Sequence, residues 1–388
     1  MGTIERNISA RIVERIKPGR AVLIFGARRV GKTVLLRQIF DAWVGKKLLL
    51  NGEDSTVGEL LSNRSVANYR NLFGSYSLLA IDEAQTIPEV GKVLKLIVDE
   101  VPGLAVIATG SSSFDLKQQA GEPLVGRATQ FMLLPMSQIE ISQIENPFET
   151  RSALETRLIY GSYPDVVLMD TYGERADYLS DMVTSYLLKD ILAVDGVRDS
   201  EKMRRLLKLI ALQIGSEVSV DELARTLGMS KNTIERYLDL LSKVFVIFRM
   251  GSYSRNIRNE VAKGGKWYFY DVGLRNAIVG NFSPIASRTD IGALWENYLI
   301  SERIKWSNNS GAKCNYYFWR TYAQKEIDLI EERLDGSIGA YEFKWGDKHP
   351  KAPLAFTKAY PEASFTVVSR DNYLDGFICG GSGECGSR

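Results

Sequence analysis

Over the first 150 residues, short apolar runs alternate with longer stretches of helical periodicity. Ala21-Val-Leu-Ile-Phe25, Lys47-Leu-Leu-Leu50, Leu78-Leu-Ala-Ile81 and Ala105-Val-Ile-Ala108 are each about one strand long. Uninterrupted runs of that length suit strands of a parallel sheet covered on both faces. Helices are predicted between them, from about Lys32 to Trp43 and from Val90 to Val101. Right-handed crossovers then give a doubly wound α/β domain. After Glu145-Asn-Pro-Phe-Glu-Thr150 the pattern turns helical until about residue 248. A second break near Asn281-Phe-Ser-Pro-Ile285 precedes a strand-rich segment, with strands expected at Asn315–Trp319, Ile327–Glu331, Ala340–Lys344 and Phe365–Val368. The expected domains are therefore 1–147, 148–282 and 283–379, followed by a glycine- and serine-rich tail, 380–388, expected to be disordered.

Composition narrows the chemistry more than the fold. Of 388 residues, 45% are hydrophobic and 25% charged, as in ordinary globular domains. No apolar run approaches the ~18 residues that span a bilayer, and the start, Met1-Gly-Thr-Ile-Glu-Arg6, lacks the apolar core of a signal peptide. The expectation is a cytoplasmic protein with no membrane partner. Cys314, Cys379 and Cys385 form no Cys-x-x-Cys pair, and His349 is the only histidine. That excludes a His-Glu-x-x-His metalloprotease and leaves little room for a Ser-His-Asp hydrolase. A metal site here must be built from carboxylates, which suit magnesium or manganese. A net charge of +2 does not announce a nucleic-acid binder, so that reading must come from local patches.

Gly26-Ala27-Arg28-Arg29-Val30-Gly31-Lys32-Thr33 matches G-x-x-x-x-G-K-[ST] between an expected strand and an expected helix. Such a loop curls backbone N–H groups around phosphates, and the helix N-terminus adds positive potential. Lys32 is expected to bridge the β- and γ-phosphates of ATP, and Thr33 to ligate Mg2+. Val34 completes the nucleotide-contacting run, and Arg28 and Arg29 are weaker candidates for phosphate contact. Leu78-Leu-Ala-Ile-Asp-Glu83 then runs an apolar strand into two acids, so Asp82 is expected at the magnesium and Glu83 beside the attacking water. Thr109, which ends the strand beginning at Ala105, is the candidate γ-phosphate sensor, with a strand-ending turn through Ser111, Ser112 and Ser113 as the plainer reading. Arg127 is a candidate arginine finger, in cis or across a subunit interface, against the alternative of a surface salt bridge.

The chain resembles a widespread prokaryotic family of AAA-like P-loop ATPases that carry a C-terminal domain of unknown function. The loop at 26–33, Ile-Asp-Glu-Ala-Gln (81–85), Thr-Gly-Ser-Ser-Ser (109–113) and Leu-Val-Gly-Arg (124–127) carry the resemblance in the first domain. Beyond it come Leu-Leu-Pro-Met-Ser (133–137), Gly-Ser-Tyr-Pro-Asp (161–165), Lys-Asp-Ile (189–191), Tyr-Phe-Tyr-Asp-Val-Gly-Leu (268–274) and Phe-Trp-Arg-Thr (318–321). The family typically has Leu in place of Met136, a volume-conserving change. The resemblance implies a P-loop NTPase sheet and brings no physiological role.

In the middle of the chain, Ser219-Val-Asp-Glu222 reads as a capping box opening a helix through Leu227. Gly228-Met-Ser230 turns the chain into a second helix, Lys231 to about Lys243, with Ile234, Leu238 and Leu241 at helical spacing. This is a helix-turn-helix signature, and Lys231, Asn232, Thr233 and Arg236 are the candidate base readers or phosphate anchors. Arg249, Arg255, Arg258, Lys263 and Lys266 against Glu260, with Tyr253, suggest a basic wing along a DNA backbone. The alternative is a winged-helix fold used only as a packing module.

Toward the C-terminus, Glu296 is expected on a helix, Asp328 at the start of an apolar strand, and Glu342 and Lys344 on one face of another. An Asp followed by Glu-x-Lys resembles the PD-(D/E)XK nuclease core, in which acids hold magnesium and the lysine positions water. Glu296, Asp328 and Glu342 are the candidate metal ligands and Lys344 the catalytic lysine, although Glu-x-Lys is also a common surface ion pair on strands.

The fold expected overall is α/β: a P-loop NTPase doubly wound parallel sheet, then a helical and winged-helix domain, then an α/β restriction-nuclease-like domain. Two functions remain open: an ATP-driven enzyme acting on DNA, or a nucleotide switch or scaffold for a protein partner, with homo-oligomers compatible with either.

Overall fold

The computed structural model describes residues 4–110, 124–187, 199–254, 264–321 and 323–378. The tail at 380–388, Lys-Asp-Ile at 189–191, Ser111 to Ser113, the cysteines Cys379 and Cys385, and Arg255, Arg258, Glu260 and Lys263 of the expected wing lie outside the described residues. Contacts divide the chain into two units: Glu5–Pro135 with Lys243–Phe245, and Met136–Ser242 with Val246–Arg388 and Met1–Ile4.

The first unit is built on a five-stranded sheet. Its strands are β1 (Ala21–Phe25), β2 (Lys47–Asn51), β3 (Leu78–Asp82), β4 (Ala105–Gly110) and β5 (Ala128–Met132). They lie in the order β2-β3-β4-β1-β5 and every pair is parallel. The apolar runs of β1 and β4 are buried along their whole length, as strands covered on both faces must be. Helices Lys32–Ala42 and Val90–Glu100 fall within a residue of their predicted ends. The sequence pattern did not announce β5. It is an edge strand whose Ala-Thr-Gln-Phe-Met run is only partly buried, so it carries no continuous apolar signal.

The second unit carries a seven-stranded sheet. Its strands are β6 (Glu217–Val218), β7 (Ile247–Ser252), β8 (Gly265–Phe269), β9 (Cys314–Arg320), β10 (Glu326–Arg333), β11 (Ile338–Phe343) and β12 (Ser364–Val368), in the order β12-β11-β10-β9-β7-β8-β6. The four strands expected after residue 314 are present with no end moved by more than two residues. The sheet passes through the expected boundary at residue 283, because β7 pairs parallel with β9 through Gly251 with Tyr317 and Ser252 with Phe318. Before that junction the order is helix Ser200–Leu212, β6, helices Val220–Leu227 and Lys231–Lys243, then β7 and β8. After it come helix Ile291–Ser310, antiparallel β9, β10 and β11, helix Leu354–Ala359, and β12 parallel to β11. Trp319, Ile327, Ile330, Ala340, Phe356 and Tyr360 form the core of this last part.

Several of the motifs that mark the sequence meet in one buried polar network within the second unit. Asp271 accepts from the Ser162 backbone N–H at 2.7 Å and caps helix Val272–Val279 through the Leu274 N–H at 3.0 Å. The Lys305 ammonium donates to the Met136 carbonyl at 3.0 Å, to Ser162 Oγ at 2.9 Å and to Glu302 at 2.8 Å. The other Glu302 oxygen accepts from the Gln138 N–H at 2.7 Å. Gly161 has φ +71°, and a Cβ there would stand 2.0 Å from an Asp271 oxygen, so this position excludes every side chain. These motifs are therefore joints of the scaffold. Among the described residues, no helix is long and apolar enough to cross a membrane.

Candidate functional site

The phosphate loop lies between β1 and helix Lys32–Ala42, at the C-terminal edge of the sheet. Its shape depends on Gly26 and Gly31. A Cβ at Gly26 would lie 2.2 Å from the Leu133 carbonyl oxygen, and Gly31 has φ +93°. Arg29 takes φ +66°, a conformation that costs a non-glycine residue free energy and is held here by its surroundings. Lys32 is 5% exposed, and its ammonium folds over the loop to donate to the carbonyls of Gly26 at 3.1 Å and Ala27 at 2.9 Å. Ala27 and Val30 are buried, whereas Arg28, Arg29 and Val34 are exposed along the loop and first helical turn.

The second acidic element comes from β3. Thr33 Oγ1 donates to Asp82 Oδ2 at 2.8 Å, joining the loop to the end of that strand. Thr109 enters from β4, the strand between β1 and β3, so the sheet order itself brings it to the site. Its hydroxyl donates to Asp82 Oδ1 and accepts from the Glu83 N–H at 3.0 Å. Glu83 has φ +49°, and its carboxylate accepts from Gln85 Nε2 at 2.5 Å. Gly52 permits the approach of β2, since a Cβ there would meet the Glu83 carbonyl oxygen at 2.5 Å. Thr33, Asp82, Glu83 and Thr109 are thus joined by hydrogen bonds at the end of the loop that carries Lys32.

Arg127 does not join them. Its backbone carbonyl accepts from the Ala21 N–H at 2.9 Å, which places it at the start of β1. The phosphate loop is at the other end of that strand, about 16 Å away at ~3.3 Å per residue. Its guanidinium is paired with Asp99 at 2.6 Å. The finger in cis is ruled out by this placement, because strand direction puts the residues before β1 and after β1 at opposite edges of the sheet.

Two contributors were not found from sequence. Arg6, 5% exposed, donates to the Val30 carbonyl at 2.7 Å and to the Leu134 carbonyl at 2.6 Å, tying the phosphate loop to the strap that follows β5. A lone basic residue in an N-terminal segment gives no local signal of such a role. Gln85 belonged to the quoted Ile-Asp-Glu-Ala-Gln run, yet its hold on Glu83 depends on the turn after β3.

In the second unit, Lys231, Asn232 and Arg236 are exposed on helix Lys231–Lys243 and Thr233 is half-buried. Lys231 is paired with Asp221, and Thr233 shares a hydrogen bond with Ser230 at 2.8 Å. Arg249 is exposed. Lys266, counted above with the basic wing, is 2% exposed and bonded to Glu296 at 3.1 Å and to Glu326. It is buried because β8 is covered along its whole length, so it cannot meet a phosphate backbone.

The nuclease-like acids are each engaged by the protein. Glu296 accepts from Lys266 and from Tyr268 Oη at 2.6 Å. Asp328 Oδ2 accepts from the Phe343 N–H at 2.8 Å, and Glu342 pairs with Lys344 at 2.6 Å. Burial, with Glu296 and Glu342 nearby, pushes the Asp328 carboxyl well above the usual aspartate range. Burial alone would lower the Lys266 pKa, but Glu296 and Glu326 outweigh it and hold the ammonium charged. Among the described residues, no group of three or more His, Cys, Asp or Glu side chains converges as metal ligands do. The expected ion set of Glu296, Asp328 and Glu342 is therefore close enough to interact by charge without forming a ligand group, and the Lys266 ammonium bonded to Glu296 supplies positive charge there.

Comparison with known proteins places the first unit. Residues 18–142 match the family described as an AAA domain, and the geometry above is that of an AAA-type P-loop ATPase domain. Residues 151–284 and 291–375 match two domains of unknown function, DUF8612 and DUF4143. An uncharacterized protein of Mycobacterium tuberculosis is 29% identical over 343 residues, covering 87% of this chain and 73% of its own. An uncharacterized protein of Methanocaldococcus jannaschii is 24% identical over 325 residues, covering 77% and 69%. Among solved structures, the RuvB Holliday junction branch migration motor of Thermotoga maritima overlaps 63% of this chain and 86% of its own, at 17% identity and a TM-score of 0.30. A STAND-type signal transduction ATPase of Pyrococcus horikoshii overlaps 80% and 48%, at 12% identity and a TM-score of 0.31. Overlaps of that quality carry no argument. The fold of the first unit implies nucleotide binding and, as a rule, Mg2+ binding.

Proposed function

We propose that the protein hydrolyses ATP with Mg2+ and uses its nucleotide state to govern a DNA-binding module in the second unit. The observation that carries the first part is the Thr33–Asp82 hydrogen bond at 2.8 Å, which sets the phosphate loop and the acidic strand end in register. The glycine cradle and this oxygen pair fit a nucleoside triphosphate and a hard cation. Loop N–H groups and Lys32 would hold the phosphates, with Thr33 and Asp82 at the cation, and Mg2+ would supply neutralisation of the phosphate charge. Glu83, braced by Gln85 and Thr109, orients the water, and Thr109 links the acids to the strand beside the loop. Lys32→Ala is expected to abolish turnover, whereas Glu83→Gln keeps ATP binding and slows hydrolysis by 100-fold or more, on the order of losing one preorganised group. Normal turnover in both variants rejects the assignment.

The DNA-binding reading is supported by the element order from Ser200 to Phe269, which follows that of a winged helix, and by exposed Lys231, Asn232 and Arg236 on its last helix. Its test is the salt dependence of duplex binding. Replacing Lys231 and Arg236 by Ala should reduce the slope of log K against log salt by about 2, and an unchanged slope counts against this face. The helix, three antiparallel strands, helix and parallel strand from Ile291 to Val368 support a restriction-nuclease-like fold for the last part. The engagement of Glu296, Asp328 and Glu342 by protein donors favours a catalytically silent version of it, acting as scaffold for the module that β7 joins to β9.

A further inference from the structure

We propose that the Lys266 ammonium is the resident cation of the acid cluster in the second unit, and that this unit works without a divalent metal. Resting on the restriction-nuclease-like reading of Ile291–Val368, this assigns to a side chain the charge that such folds take from magnesium. Lys266 and Tyr268 stand two residues apart on β8, so their side chains share one face of the sheet. Both donate to the same Glu296 oxygen, Oε1, at 3.1 and 2.6 Å. Lys266 also pairs with Glu326 on β10, and the ring of Phe318 lies 5.3 Å from its nitrogen. An ammonium has three N–H donors to place. Two carboxylates and an aromatic face surround this one, at 2% exposure.

A divalent cation would have to displace these donors. Mg2+ takes near-octahedral oxygen ligands at about 2.0–2.1 Å, whereas Glu296 Oε1 already accepts twice. Its Oε2 lies against Gly215, where a Cβ would stand 3.1 Å away. Asp328 Oδ2 is committed to the Phe343 N–H at 2.8 Å and Glu342 Oε1 to the Lys344 ammonium at 2.6 Å. A metal ion would also meet the positive charge of Lys266, which water screens poorly at a buried site. Burial, Glu296 and Glu342 push the Asp328 carboxyl well above the usual aspartate range, which favours its protonated form. A bound divalent ion would favour the opposite state. Lys266 comes from β8, ahead of residue 283, whereas Glu296 and Glu326 lie beyond it, so the same ammonium ties the two parts of the second unit together.

The test is a titration of the full, nucleotide-free chain with Mn2+, read from the paramagnetic signal of the free ion. Every arm carries Asp82→Asn, which removes the carboxylate of the phosphate-loop cation site, and that chain serves as parent. The parent is expected to bind no Mn2+ at submillimolar concentration. Lys266→Met leaves Glu296 and Glu326 buried without their shared cation and should lower the melting temperature by about 5 °C or more. Adding Glu296→Gln to it should recover at least half of that loss. A Mn2+ site in the parent that Glu296→Gln or Asp328→Asn abolishes overturns the proposal, and this arm decides the matter should Lys266→Met fail to fold. A melting temperature for Lys266→Met within 1 °C of the parent overturns it as well. Nicking of duplex DNA by the parent in Mn2+, with no such site at the cluster, rejects the scaffold reading instead and leaves Lys266 as the resident cation.

Discussion

Arg6→Met isolates the contribution of a residue that reaches the phosphate loop through a backbone carbonyl. Methionine retains much of the apolar stem and removes the two guanidinium bonds, at 2.7 Å to the Val30 carbonyl and 2.6 Å to the Leu134 carbonyl. With Arg6 only 5% exposed, water cannot replace the lost donors without opening the site. Each buried carbonyl left without its donor costs about 1–3 kcal/mol, so the pair predicts a loss of roughly 2–6 kcal/mol in the stability of the first unit. Because Val30 is inside the phosphate loop, part of that loss should appear as nucleotide affinity. A tenfold rise in the Kd for ATP corresponds to about 1.4 kcal/mol. Urea unfolding monitored with and without Mg·ATP measures both quantities on one sample, and Arg6→Lys, which keeps the charge but not the fork, should fall between parent and Met variant. A stability change below about 0.5 kcal/mol together with an unchanged Kd would falsify the view that Arg6 sets the loop.

Two further outcomes follow from the second unit. Asp328 has its folded pKa raised above its ordinary value of 3.8 by burial and by Glu296 and Glu342. The native state then keeps a proton that the unfolded chain releases, so stability falls as pH rises from about 4 toward the raised folded value. Asp328→Asn should therefore gain stability relative to the parent when urea midpoints at pH 4.5 and 7.5 are compared, and an equal difference at both pH values contradicts the burial argument. Arg303 and Glu331 form a buried bidentate pair, with nitrogen–oxygen distances of 2.5 and 2.9 Å, on a carboxylate that is fully buried. Arg303→Met strands that charge at about 3–5 kcal/mol, eased by Arg333, which also reaches Glu331 at 3.1 Å. A calorimetric melting point within 1 °C of the parent value would show that the pair is not the anchor of β10 on helix Ile291–Ser310.

The chemistry legible in the sequence is the chemistry that is local. Gly26, Gly31, Lys32 and Thr33 lie in one turn between a strand and a helix, so spacing alone places their atoms within reach of one another. Asp82 and Glu83 were readable for the same reason, as acids at the end of an apolar strand. Ser219 caps its helix through the Glu222 N–H at 3.3 Å, and Gly228 ends it at φ +60°, both properties of a few consecutive residues. Strands such as β1 and β4 announced themselves because burial on both faces requires unbroken apolar runs.

What the sequence by itself could not decide is which distant segments meet and which way they face. Arg127 and Lys32 share a domain, yet parallel strand direction puts them at opposite edges of its sheet. Lys266 reads as one more charge in a basic stretch, and only the packing that buries β8 brings it to Glu296 and Glu326. Arg6 finds the phosphate loop, and β7 finds β9, through contacts separated by many residues, where no periodicity or capping signal records the partner. Local sequence sets conformations through sterics and hydrogen bonding between neighbours. Long-range pairing is chosen by the burial and ionic complementarity of the assembled sheet, and there the tertiary structure supplied the answer.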